Sequence, residues 1–131
     1  MTSLMLVEDH PIVAKTLSRI LEQRGDLHVT AVALTAEDAL EQLPGLNPDI
    51  VLVDVSLPKM NGIELAGVLH ERYPHLPCLI ISGHVSGHYV QRSMEAGARG
   101  YVIKDSVAGI LEGIEQVLQG KTYVSKELRE A

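Results

Sequence analysis

Apolar residues along this chain fall into short unbroken runs, and between the runs they recur at helical spacing. Leu4-Met5-Leu6-Val7, Ile50 to Val53, Leu79-Ile80-Ile81 and Tyr101-Val102-Ile103 carry no polar interruption, which is the pattern of strands buried on both faces. His28 to Leu34 alternates weakly and reads as a further strand, second in chain order. A helical stretch follows each run. His10-Pro11 opens the first, with proline suited to a first turn; Val13, Leu17, Ile20 and Leu21 form its inner face, and Gly25 ends it. Thr35 caps the second, with Asp38 in the capping-box position. Ala36, Ala39, Leu40 and Leu43 face inward there, and Pro44-Gly45 and Asn47-Pro48 break the pattern. Leu65, Val68, Leu69 and Arg72 share a face of the third helix, which Pro74 stops. Val90 and Met94 mark a short fourth helix, reached past Gly83 and Gly87 and ended by Gly97. Ser106 caps the fifth, whose buried stripe is Val107, Ile110, Leu111, Ile114, Val117 and Leu118, with Gly120 at its end.

Five strands alternating with five helices predict an α/β fold, a parallel sheet covered on both faces by right-handed crossovers. Residues 1–120 form this unit and 121–131 a polar tail. Such a sheet binds ligands at the carboxyl ends of its strands, at the topological switch point. Glu8 and Asp9 stand at the end of the first strand, Asp54 at the third, Ser82 at the fourth and Lys104 at the fifth. An acid at the edge of a core is costly to keep charged. Asp54 is therefore paired, or holds a metal, or acts as a nucleophile. Three carboxylates in one crevice repel, and a hard divalent cation relieves them; oxygen-only donors with room for water suit Mg2+ better than Zn2+. A carboxylate, a metal, a hydroxyl and an ammonium around one point also fit stabilisation of a phosphoryl group in transfer. An Asp can accept that group as an acyl phosphate.

Composition removes several alternatives. With 131 residues, 46% of them hydrophobic, the chain can fill one core and not two. No apolar run approaches the roughly 20 residues of a membrane helix, and the N-terminus lacks the basic patch of a signal peptide. The single cysteine, Cys78, reads as a reduced structural thiol. These features predict a cytoplasmic protein. A net charge of −6 and scattered Lys and Arg argue against direct nucleic-acid binding by this chain. Four Tyr, with no Trp or Phe, give no stacking platform.

Glu8-Asp9, Asp54-Val55-Ser56-Leu57-Pro58 with Asn61-Gly62, Ser82-Gly83 and Tyr101-Val102-Ile103-Lys104 are each weak signals. In this order, and at strand ends, they resemble the receiver domain of a two-component response regulator, over residues 3 to about 120. Glu-Asp-His-Pro at 8–11, Gly-Tyr-Val-Ile-Lys-Asp at 100–105 and Gly-Lys-Thr-Tyr-Val-Ser at 120–125 are similar to the NarL/FixJ branch, whose members usually carry a C-terminal helix-turn-helix.

The resemblance implies a flavodoxin-like, doubly wound sheet in the order 2-1-3-4-5. It implies that Asp54 is the phospho-acceptor, attacking a phosphohistidine on a sensor histidine kinase. Asp9 and Asp54 would ligate Mg2+ directly, with the Ser56 backbone carbonyl, and Glu8 through water. Lys104 would pair with Asp54 and then with a phosphoryl oxygen, and Ser82 would bind another. Tyr101 would turn inward when Ser82 moves, while Ser56 and His84 would govern access to the phosphoryl group. The fourth helix, fifth strand and fifth helix would form the output face. The family's chemistry is limited to Mg-dependent self-phosphorylation and self-dephosphorylation. Homodimerisation on phosphorylation, and a tail at 121–131 opening a linker to an absent output domain, complete the expectation.

One departure stands out. Many receivers place a proline, often after a cis peptide bond, where Asp105 stands here. A non-proline cis bond costs about 2.5–4 kcal/mol, so Lys104–Asp105 is expected to be trans. Three alternatives remain open at this level. An Asp-nucleophile phosphatase of the haloacid-dehalogenase type needs a second acid two residues on, where this chain has Ser56. A flavin-binding module needs a Ser/Thr/Gly-rich first loop. A pseudo-receiver, working only as an interaction module, needs none of the motif residues that are present. His84 and His88 lie four apart, but no further ligand is near in sequence and Gly87 weakens the helix that would align them, so a metal site there is not expected.

Overall fold

The structure, a computed structural model, describes residues 1–129. Its strands are β1 (Thr2–Val7), β2 (Leu27–Ala33), β3 (Ile50–Asp54), β4 (Cys78–Ser82), β5 (Gly100–Ile103) and β6 (Tyr123–Val124). The helices are α1 (Pro11–Glu22), α2 (Ala36–Gln42), α3 (Gly62–Arg72), α4 (Gly87–Ala96) and α5 (Val107–Leu118), with a final 3₁₀ turn at Lys126–Leu128. The sheet order is β2-β1-β3-β4-β5-β6 and every pairing is parallel. This is the expected flavodoxin-like order with one short strand added at an edge.

Because successive side chains of a strand point to opposite faces, each unbroken run feeds two cores. Met5, Val7, Val51, Val53, Ile80 and Tyr101 meet α2 and α3 on one face. Leu4, Leu6, Ile50, Leu52, Leu79, Ile81 and Val102 meet α1 and α5 on the other. Burial of each such side chain contributes about 1.5–3 kcal/mol. The crossovers between the two layers leave the strands' carboxyl ends open at one rim.

The inner faces of the helices are narrower than their apolar spacing predicts. In α1 the buried residues are Ala14, Leu17 and Leu21, while Val13 is exposed and Ile20 half-buried. In α5 they are Ile110, Gly113, Ile114 and Val117, and Leu118 is exposed. At about 100° per residue, Val13, Ile20 and Leu118 lie on the shoulders of their stripes. On α3, Leu65 and Leu69 are buried together with Ile63 and Ala66, and Arg72, at the end of the shared face, is exposed.

Caps set the helix starts. Pro11 occupies the first turn of α1. Thr35 accepts the Asp38 backbone N–H at 3.0 Å, but the Asp38 carboxylate accepts from Gln42 instead of returning to Thr35, so only half of a capping box forms. Asn61 and Glu64 form the complete box at the start of α3. Ser106 accepts the Gly109 N–H at 3.1 Å.

The region read as a polar tail continues the sheet. Tyr123 and Val124 pair with Gly100 and Tyr101, which makes β5-α5-β6 one more crossover unit. The Ser125 N–H donates to the Tyr101 carbonyl at 3.0 Å, and the Ile103 N–H donates to Ser125 Oγ at 3.0 Å. Tyr123, Ser125 and Leu128 are buried. Among the described residues every peptide bond is trans, Lys104–Asp105 included. No helix of the described residues is long and apolar enough to cross a membrane.

Candidate functional site

Register assembles the site. Val7 lies opposite Val53, Asp54 opposite Ile81, and Ser82 opposite Ile103. Glu8, Asp54, Ser82 and Lys104 therefore end their strands side by side. The reversal of strand order at β1 and β3 opens the crevice between Glu8-Asp9 and Asp54.

Glu8 is fully buried and Asp54 nearly so. Lys104 joins them: its Nζ donates to Asp54 Oδ2 at 3.1 Å and forms an ion pair with Glu8 Oε1. Asp54 Oδ1 accepts the Ser56 backbone N–H at 3.2 Å. The Lys104 backbone is held in turn, its N–H donating to the Ser82 carbonyl at 2.8 Å. Burial pulls the Lys104 pKa down, but hydrogen bonds to Glu8 and Asp54 and their charges together outweigh it, and the net shift is upward. Three carboxylates (Glu8, Asp9, Asp54) against one ammonium leave a formal excess of two negative charges in the crevice.

Two backbone features fix the floor. Gly62 donates its N–H to the Val55 carbonyl at 3.0 Å. A Cβ there would stand 2.2 Å from the Asp54 carbonyl oxygen, so only glycine lets α3 start this close to the acid. Lys59, in the intervening loop, has φ +58°, a left-handed conformation that costs a non-glycine residue energy.

The rim is built around His84. Ser82 is buried, and its Oγ accepts the His84 N–H at 2.9 Å. The Tyr101 hydroxyl donates to the His84 carbonyl at 3.0 Å. His84 Nε2 lies 3.1 Å from Ser56 Oγ, and the ring stacks on Tyr89 with centroids 4.6 Å apart. Ser56 and His84 thus close across the mouth. Tyr101 was expected to be a ring that turns inward; in this structure it is already buried. Burial raises its pKa above the usual tyrosine value.

Four residues each offer a ligand atom within 4.8 Å of the others: Glu8, Asp9, His10 and Asp54. Asp9 Oδ1 is buried and accepts no hydrogen bond. Together with the excess negative charge, that orphaned oxygen fits a divalent cation. His84 and His88 do not join this group. His10 is the residue that sequence reasoning missed. It was read only as the start of a helix in a crevice of oxygen donors, yet it adds a nitrogen. Its Nδ1 lies 3.1 Å from both Glu8 Oε2 and Asp9 Oδ1. The hydrogen bond with Glu8, followed by the charge of Asp9, raises its pKa above 6.5. The signal available in the sequence was its position directly after Asp9.

The arrangement can hold a divalent cation and present a buried carboxylate oxygen beside an ammonium. A groove of about 550 Å³, lined by His10, Val13, Gly83, Val85, Ile103, Lys104 and Asp105, opens beside it.

The family model described as the response regulator receiver domain matches residues 4–116. The transcriptional regulatory protein DegU of Brevibacillus brevis is 33% identical over 122 residues, covering 92% of this chain and 52% of DegU. The DNA-binding transcriptional activator DevR/DosR of Mycobacterium tuberculosis is 38% identical over 105 residues, 80% of this chain and 48% of that protein. The chain thus spans about half the length of these curated relatives. Among solved structures, a LuxR-family two-component response regulator from an Aurantimonas species superimposes with a TM-score of 0.94 at 34% identity, covering 99% of this chain and 94% of the other. With a family match spanning most of its length and relatives of this kind, the chain belongs to the response regulator receiver domain family, in its NarL/FixJ-like branch.

Proposed function

We propose that this domain accepts a phosphoryl group on Asp54 from the phosphohistidine of a sensor histidine kinase, in a Mg2+-dependent transfer within the cytoplasm. The observation that carries the reading is the buried Asp54 carboxylate, with Lys104 3.1 Å from Oδ2 and the acids Glu8 and Asp9 alongside. An Asp54 oxygen attacks the phosphorus; an O–P bond forms as the P–N bond breaks, and the imidazole leaves with its electron pair and takes up a proton. Lys104 neutralises charge on the equatorial oxygens as they pass through the transition state. Asp9, Asp54 and the Ser56 backbone carbonyl would hold Mg2+, with Glu8 acting through water. The charge such an ion supplies would offset the repulsion between the carboxylates and an incoming phosphoryl group.

Ser82 Oγ, at the end of the neighbouring strand, would donate to a phosphoryl oxygen in this reading. Doing so would change what it offers the His84 N–H, and with it the loop whose carbonyl receives Tyr101. Phosphorylation then favours one arrangement of a pre-existing equilibrium, in which Tyr101 is inward and the face of α4, β5 and α5 is altered. Ser56 and His84, closing the mouth, set how readily water reaches the acyl phosphate. The output is transcriptional, by analogy with the regulators DegU and DevR/DosR, and the family resemblance implies that it runs through a helix-turn-helix domain and homodimerisation on phosphorylation.

Beryllofluoride, which mimics the acyl phosphate, tests the centre. Fluorine NMR should show bound resonances that require Mg2+ and vanish in Asp54→Ala. Bound resonances in Asp54→Ala, or none in the wild type with Mg2+, would overturn the assignment.

A further inference from the structure

The sequence around the crevice promises oxygen donors alone, and the structure adds the imidazole of His10. We propose that His10 Nδ1 is a direct protein ligand of the divalent-ion centre, and that it widens the centre from Mg2+ to ions that favour nitrogen, Zn2+ among them. The inference rests on the ion-binding reading of Glu8, Asp9 and Asp54 given above.

The geometry is specific. Nδ1 stands 3.1 Å from Asp9 Oδ1, yet Asp9 Oδ1 accepts no hydrogen bond. That separation is the one neighbouring ligands of a single ion keep, and donor atoms of Glu8, Asp9, His10 and Asp54 all lie within 4.8 Å of one another. For bonds of roughly 2.1 Å, adjacent corners of an octahedron lie about 3.0 Å apart. The second contact, Nδ1 to Glu8 Oε2, is also 3.1 Å. Coordination needs the Nδ1 lone pair, so in the bound state the ring keeps its proton on Nε2. Glu8 Oε2 is not stranded by this change, because it also accepts the His10 backbone N–H at 3.1 Å. That backbone bond ties the residue to the buried carboxylate and fixes where the imidazole begins. The side chain itself is 66% exposed, and no side-chain hydrogen bond from His10 caps α1. The residue is therefore not serving the helix, and its removal leaves the core intact.

Ligand chemistry sets the consequence. An imidazole adds little for Mg2+, which prefers oxygen, and much for ions later in the first transition row. A purely electrostatic role for His10 would shift affinity for all divalent ions alike; a ligand role separates them.

Pulsed EPR of Mn2+ bound at less than one equivalent tests the proposal, with calorimetric titration of Mg2+ and Zn2+ alongside. Bound Mn2+ in the wild type should show nitrogen hyperfine modulation, which is lost in His10→Ala and kept in His84→Ala. Zn2+ affinity should fall by about tenfold or more in His10→Ala while Mg2+ affinity changes far less. Bound Mn2+ without nitrogen modulation, modulation that survives in His10→Ala, or equal losses for Zn2+ and Mg2+ would each overturn the His10 assignment and leave the carboxylate centre standing. Mn2+ that keeps the free aquo-ion spectrum would overturn both, so the two failures are told apart.

Discussion

Lys104 is the residue on which the site's electrostatics turn. Among the described residues it is the one ammonium facing two buried carboxylates, so Lys104→Met removes the charge and leaves Glu8 and Asp54 facing each other. Loss of a partner from a fully buried pair costs about 3–5 kcal/mol. The Lys104 side chain is 23% exposed, so water recovers part of this, and about 1–3 kcal/mol is expected. Mg2+ should restore much of that loss. Thermal unfolding should therefore show a larger Mg2+-induced rise in Tm for Lys104→Met than for the wild type; an equal rise would separate the lysine from the metal centre.

Cys78 supplies a second residue-scale prediction. Burial pushes its thiol up from 9.0 to about 12. The native thiol stays protonated where the unfolded one ionises, so its contribution to stability is intact below about pH 9 and is lost as pH rises towards 12. The loss is about 1.4 kcal/mol per pH unit in that window. Urea midpoints between pH 8 and 11 should fall more steeply for the wild type than for Cys78→Ala, and the native thiol should resist alkylation. At this scale the sequence was read well where a residue follows an apolar run. Asp54, Ser82 and Lys104 were placed correctly because strand ends converge. His10 was not, because whether a residue just past a strand end turns back into the crevice depends on the turn, which no period reveals.

At the scale of elements, the apolar runs located β1, β3, β4 and β5, since burial on both faces leaves no polar position to confuse the pattern, while the half-exposed edge strand β2 is marked only by weak alternation. β6 escaped because a two-residue strand has no period, and its partner is reached only through the α5 crossover. The helix faces were drawn too wide, as Val13 and Leu118 show, because spacing defines a stripe but not which shoulder the sheet covers. The 123–128 segment now carries testable weight. Leu128 shares a cluster with Tyr101, and Leu128→Ala should cost about 2 kcal/mol in urea unfolding. Ser125→Ala removes the acceptor of the Ile103 N–H and should speed amide exchange at Ile103, with a stability loss of about 1–3 kcal/mol. If both variants match the wild type, the segment does not pack on β5. Gly62→Ala should lower both stability and affinity for the ion, since its Cβ would press on the backbone of Asp54 and Val55; thermal unfolding and Mg2+ titration read the two.

For the molecule as a whole, two cores back one parallel sheet, and the polar chemistry is confined to the carboxyl rim. That division makes the site legible in the sequence: the strands that build the cores also deliver Glu8, Asp54, Ser82 and Lys104 to one edge. The net charge of −6 predicts that this chain alone does not retard a DNA duplex in a mobility shift at ordinary ionic strength, whatever the full-length relatives do. The central claim is that Asp54 is a phosphoryl acceptor, and one measurement meets it directly. Intact-mass analysis after incubation with acetyl phosphate and Mg2+ should show a single added phosphoryl group. That group should be removed by hydroxylamine and be absent from Asp54→Asn and from metal-free protein. An adduct that resists hydroxylamine, or one that persists in Asp54→Asn, would contradict the account.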